Sequence, residues 1–156
     1  MKLKLIAYFS IFMIAILLLQ SCQKDEEGSE SEQKVSAHNE KESHNMGLNC
    51  MNCHKSGGSG EGIFNVAGTV YNDLKTGTYP NATIKFFSEP NGNGLLKYTV
   101  EVDGLGNFYT TENIDFGNGL YASVERNSST QNMASSITTG QCNSCHGIST
   151  DKIWTN

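Results

Sequence analysis

Two stretches of the chain carry the same spacing of thiols and imidazole, Cys50-Met51-Asn52-Cys53-His54 and Cys142-Asn143-Ser144-Cys145-His146. Paired thiols three residues apart, with a histidine directly after the second, are the attachment pattern of c-type haem. The thiols add across the two vinyl groups of the porphyrin. The neighbouring imidazole is then placed to ligate the iron from one face. Cys50, Cys53, Cys142 and Cys145 are therefore expected to hold two haem c groups, with His54 and His146 as the proximal iron ligands.

An electron-transfer haem normally has a second axial ligand, histidine or methionine. The chain holds two further histidines, His38 and His44, so two irons with two imidazoles each would use all four. His44 lies six residues before Cys50. A histidine just upstream of such a motif resembles those of multihaem cytochromes, which often ligate the iron of a neighbouring haem. That resemblance implies His44 as a distal ligand. His38 reaches an iron only if the segment around it folds back. Met46 and Met133 are the alternative sixth ligands, and a thioether would raise the reduction potential. A vacant sixth position would suit ligand binding or peroxide chemistry instead.

The amino terminus places this chemistry outside the cytosol. A short basic stretch, Met1-Lys2-Leu3-Lys4, precedes an apolar run from Leu5 to Leu19, then Gln20-Ser21-Cys22. This is the layout of an export signal, and the run is short of the ~20 residues of a comfortable membrane span. The cysteine after Leu19-Gln20-Ser21 resembles a bacterial lipobox, with Gln20 where a small residue is more usual. The resemblance implies cleavage after residue 21 and lipidation of Cys22. An uncleaved anchor helix is the alternative. The stretch Gln23-Lys24-Asp25-Glu26-Glu27 resembles the lysine-plus-acidic export signal of Bacteroidota surface lipoproteins. It implies an outer-membrane lipoprotein displayed on the cell surface, and without that signal one facing the periplasm.

Loss of residues 1–21 would move the net charge from −5 to −7, which argues against nucleic-acid binding. The membrane link would then come from the lipid anchor. Residues 22–43 contain seven acids and three lysines with few large apolar side chains, the composition of a disordered tether.

The first haem-binding segment is expected over 44–62 and the second over 127–156. Between them, over 63–126, the hydrophobic period changes to two. Val66-Val70, Ala82-Ile84-Phe86, Leu96-Tyr98-Val100-Val102, Phe108-Thr110 and Leu120-Ala122-Val124 alternate with polar neighbours and are separated by Gly, Asn and Pro clusters. The expected fold is mainly β: a small antiparallel β-sandwich flanked by two irregular haem-binding segments, with one edge strand at Ala134–Ile137. Phe86, Phe87, Phe108 and Tyr109 read as core and rim packing. Gly68-Thr69-Val70-Tyr71, Pro80-Asn81-Ala82-Thr83-Ile84 and Asp103-Gly104-Leu105-Gly106-Asn107-Phe108-Tyr109 resemble the carboxypeptidase-regulatory-like, transthyretin-like sandwich. That resemblance implies a structural or binding module without catalysis.

Strand parity decides where the motifs meet. An even count brings both ends of the sandwich to one side and the haems edge to edge. An odd count sends them to opposite poles, at least ~20 Å apart. Trp154 would pack on a haem or cover the sandwich end.

Taken together, the residues resemble those of a dihaem c-type cytochrome lipoprotein. The implied role is an electron carrier, not an enzyme, exchanging electrons with redox partner proteins or an extracellular acceptor. A peroxidase would need an acid–base group near a motif, and none is recognisable. Two readings compete. The cysteines could form disulfides Cys50–Cys53 and Cys142–Cys145, or bind zinc, in a surface module without redox role. Alternatively the sandwich itself binds a partner or glycan and haem is incidental. The disulfide reading leaves the histidine after each cysteine pair unexplained, and the long separation of the motifs and the exported location argue against zinc.

Overall fold

A computed structural model describes residues 33–156. The expected signal peptide, Cys22 and the first part of the tether lie outside the described residues. Five strands form where period-two alternation places them: β1 (Val66–Tyr71), β2 (Thr83–Phe87), β3 (Leu96–Glu101), β4 (Asn107–Thr110) and β5 (Tyr121–Arg126). Three shorter ones follow: β6 (Ser129–Asn132), β7 (Gly140–Gln141) and β8 (Ile153–Trp154).

The strands make two sheets that pack as a small sandwich. One is antiparallel throughout, in the order β3-β2-β5-β6. In the other, β1 pairs antiparallel with β4, Val66 opposite Thr110 and Thr69 opposite Asn107. The second edge of β1 is filled by two parallel pieces, β7 beside Val66–Ala67 and β8 beside Val70–Tyr71.

In β2, Ile84 and Phe86 are buried while Thr83, Lys85 and Phe87 are half-buried, as one inward and one outward face require. With Val66, Val70, Val100, Val102, Phe108 and Val124 they form the core. Each fully buried side chain of this size contributes roughly 1.5–3 kcal/mol. β1 differs: Val66 to Val70 are all buried. A strand buried on consecutive positions must be covered on both faces. What covers its second face is the polypeptide around the two cysteine motifs.

Three expectations are corrected. Residues 33–43 do not behave as a free tether. Ser36 is buried, its N–H donates to the Tyr109 carbonyl at 2.9 Å, and its hydroxyl accepts the Tyr109 N–H at 2.9 Å. Glu40 further accepts the Gly104 N–H at 2.6 Å. This segment caps the free edge of β4, satisfying backbone groups that composition alone leaves to water. Second, the segment 127–156 is not irregular throughout: Ser129–Asn132 pairs with β5 through a two-residue turn at Asn127-Ser128, with Asn127 at a φ of 52°. Third, the expected edge strand at Ala134–Ile137 reduces to one bridge between Leu120 and Ile137.

Among the described residues no helix is long and apolar enough to cross a membrane.

Candidate functional site

Both motifs fold into the same local structure. Cys50–Asn52 and Cys142–Ser144 are single 3-10 turns. In the first, the Cys50 carbonyl accepts the N–H groups of Cys53 (3.1 Å) and His54 (3.0 Å). In the second, the Cys142 carbonyl accepts those of Cys145 (3.3 Å) and His146 (3.0 Å). Side chains three and four residues apart share one face of such a turn, so each motif presents two thiols and an imidazole together. All four cysteines are free thiols.

Each histidine is then fixed by the loop that follows. His54 Nδ1 donates to the Glu61 carbonyl at 2.9 Å, and His146 Nδ1 donates to the Asp151 carbonyl at 2.6 Å. A carbonyl only accepts, so the proton sits on Nδ1 and the lone pair of the neutral ring is on Nε2. Among the described residues neither Nε2 has a hydrogen-bond partner. This is the orientation in which a ligating imidazole is held by its outer contacts.

The glycine-rich run after the first motif makes room for this ring. A Cβ at Gly60 would stand 2.8 Å from His54 Cγ and Nδ1. The other side of the ring is backed by Phe64, stacked at 4.0 Å between centroids and 4° between planes, and Phe64 stacks in turn on Tyr109 at 4.8 Å.

The two motifs, 92 residues apart, stand side by side against β1. Asn49 and Gln141, the residues just before each first cysteine, are hydrogen-bonded at 3.3 Å from Nδ2 to Oε1. A buried polar network ties the turns more firmly. Asn143, inside the second motif, fills the gap in the sheet edge between β7 and β8. Its Oδ1 accepts the Thr69 N–H at 3.2 Å, and its Nδ2 donates to Thr69 Oγ1 and to the Leu48 carbonyl, each at 3.0 Å. Thr69 Oγ1 also accepts the Gly47 N–H (2.9 Å) and donates to Asn107 Oδ1 (2.6 Å). Asn107 Nδ2 donates to Ser43 Oγ (3.0 Å) and to the His44 carbonyl (3.2 Å). A hydroxyl has one donor and two acceptor positions, and Thr69 uses all three. The motifs are adjacent although seven strands, an odd count, lie between them. The expectation that an odd count sends them to opposite poles is corrected, because β7 is only two residues long and ends beside Ala67 of β1.

The surroundings of the motifs differ. The second opens onto a cavity of about 480 Å³, within the ~300–1,000 Å³ of small-molecule and cofactor sites. Cys142, Cys145 and His146 line it with Met133, Ile137 and Trp154, and its floor reaches the core at Ile84, Phe108 and Val124. Gly68 leaves room first for the Phe108 ring and then for Cys142, since a Cβ there would collide with the ring and lie 3.0 Å from Cys142 Cβ. Near the first motif Cys53, Met46, Leu48 and Ile63 are exposed, and at the second Cys145 and Ile148 are exposed as well.

Burial pushes the Cys142 thiol up to about 12, with the nearby Cys50 and Cys145 thiols adding to the rise. Burial also raises Cys50, with Cys53 contributing. Among the described residues no three of the His, Cys, Asp and Glu side chains converge on a point that could hold a metal ion. Two thiols and one imidazole in each motif are the donor set that a covalently attached porphyrin would need.

The remaining candidates separate clearly. The His44 ring lies beside that of His54, 6.0 Å between centroids and tilted by 39°. His38 is drawn to another flank, where its Nε2 meets the Ala82 carbonyl at 3.0 Å and its Nδ1 faces the Glu101 carboxylate at 3.9 Å. As placed, the Ala82 carbonyl takes up Nε2 of His38 and leaves only Nδ1, which faces Glu101, so His38 does not meet either motif. Trp154 pairs with Tyr71 in β8 and lines the cavity beside His146, so it stands at the second motif and at the sandwich edge at once.

Sequence reasoning overlooked Asn143, Thr69, Asn107, Gly60 and Phe64. Asn143 occupies one of the motif positions that carries no chemistry, and Thr69 is one threonine in an alternating strand. Only the glycine run at 57–60 carried a readable signal, as a place of close backbone approach.

Comparison with protein-family models, with curated proteins and with solved structures finds no match.

Proposed function

We propose that the protein is an electron carrier with two covalently attached haem c groups held side by side. The observation that carries this reading is the pair of matching turns, each presenting two free thiols and an imidazole whose Nδ1–H is bound to a backbone carbonyl. When bound, each haem would supply a one-electron iron centre. The chain's own part is to fix two thiols for each porphyrin, to orient His54 and His146 with Nε2 forward, and to hold the attachment points together through Asn143 and Thr69.

His44 is the distal ligand this reading assigns to the first motif. Two imidazoles that share one metal ion through facing nitrogens stand roughly 6 Å apart, given metal–nitrogen bonds of about 2 Å. The 6.0 Å between His44 and His54 fits that separation. The open flank at Met46, Leu48 and Ile63 suits contact with a redox partner protein. Lipidation at Cys22 would tether the sandwich to the outer membrane, displayed at the surface or facing the periplasm.

The test is the absorption spectrum, oxidised and reduced, of the full chain made in a strain with cytochrome c maturation. The reading expects an intense Soret band, sharp reduced bands and a haem-staining band on a denaturing gel. Colourless protein carrying zinc, or disulfides in both motifs, would overturn it in favour of a structural surface module.

A further inference from the structure

The two motifs differ in the side chains that surround them. The cavity beside the second motif holds His146 with both thiols of its motif, and no second histidine lines it. His44 is taken up beside His54, and His38 is bonded to the Ala82 carbonyl. Of the cavity's other metal-binding side chains, Lys152 has its ammonium on the Lys75 carbonyl at 3.1 Å and 4.1 Å over the Tyr71 ring. Asp151 is paired with Lys75 at 2.8 Å. Met133 is what is left: a soft, uncharged thioether in the cavity wall, half-buried, at the end of the β5–β6 hairpin. Its backbone is fixed there by the 2.8 Å bond from its N–H to the Ala122 carbonyl. Thioether is a suitable axial donor to haem iron and raises its potential above that of a bis-imidazole site.

We propose that Met133 is the axial ligand opposite His146, so that the chain carries one histidine–methionine site in the cavity and one histidine–histidine site on the open flank. This rests on the haem reading above and deepens it. The histidine–histidine site would then have the lower potential and the histidine–methionine site the higher. An electron from a one-electron partner protein would therefore pass from the group held by His44 and His54 to the one held by Met133 and His146. The direction is built into the ligand sets, not into the attachment motifs, which are identical in spacing.

The experiment compares the full-length matured chain with Met133→Ala, Met133→His and Met46→Ala. Haem content is counted by intact mass and potentials are read by spectroelectrochemical titration. The wild type is expected to show the weak near-infrared methionine-to-iron band of the ferric state and two resolved midpoints. Met133→Ala and Met133→His are expected to keep two porphyrins, lose that band and lower the upper midpoint while the other stays. Met46→Ala is expected to change neither. Two porphyrins with the band surviving Met133→Ala, or lost in Met46→Ala, overturn the assignment and leave the carrier reading standing. A wild type without covalent porphyrin overturns both.

Discussion

Asn143, in the middle of the second cysteine motif, donates its side-chain amide to the carbonyl of Leu48, two residues before the first motif, at 3.0 Å. The same side chain closes onto Thr69 of β1 through both its oxygen and its nitrogen. One buried amide thus joins three pieces of chain and sets the spacing of two sites.

Replacing Asn143 by alanine leaves the Thr69 N–H without a partner and the Leu48 carbonyl with only the Cys50 thiol. A buried polar group so orphaned costs about 1–3 kcal/mol. Denaturant unfolding of Asn143→Ala is expected to show a loss of that size, with the midpoint shifted and the slope unchanged. A stability equal to wild type would mean that water or a shifted backbone takes over these bonds.

Gly60→Ala puts a methyl group 2.8 Å from the His54 ring, which Phe64 blocks on its other side. The ring cannot slide away without losing either the stack or the bond to the Glu61 carbonyl. Overpacking of this kind costs about 1–3 kcal/mol. In the matured protein the absorption and paramagnetic signals of one site are expected to change while those of the other stay. If both change equally, the glycine acts on folding as a whole and not on His54.

His44→Ala removes an exposed side chain with no hydrogen-bond role among the described residues, so the fold should keep its stability to within about 0.5 kcal/mol. One of the two irons is expected to become high-spin or to take a water or added imidazole as its ligand. An unchanged spectrum would strike His44 from the ligand set.

The Cys142 thiol gives a pH dependence with a definite sign. Its value is raised in the fold from 9.0 to about 12, so between these limits the unfolded chain has lost the proton and the folded chain keeps it. The folded state binds more protons there, and stability falls as pH rises from 9 towards 12. The haem-free protein is expected to show this fall, and Cys142→Ala to show less of it. Attachment of the sulfur as a thioether removes the group from titration and flattens the curve by the same amount. Parallel curves for wild type and variant would show that the thiol is not desolvated.

How far the sequence carries depends on the kind of signal. The cysteine–histidine spacing is chemistry written in consecutive residues, and the strands over 66–126 are legible because one face of each must be apolar. Ser129–Asn132 is a strand with no such face, since an edge strand can meet the polar requirement of both sides, and only its turn marks it. Ser36 and Glu40 sit in an acidic stretch whose composition reads as solvated, yet their backbone groups find partners at Tyr109 and Gly104. The meeting of the motifs was not legible from strand parity, because parity assumes strands that cross the whole sheet and β7 has two residues. Asn143 and Thr69 become a linker only once β7 and β8 leave a gap beside β1.

The most direct test is peptide-level mass spectrometry of the full chain after expression with cytochrome c maturation. The account predicts one porphyrin on the peptide holding Cys50 and Cys53 and one on that holding Cys142 and Cys145. Recovery of both peptides with unmodified or disulfide-paired cysteines would contradict it.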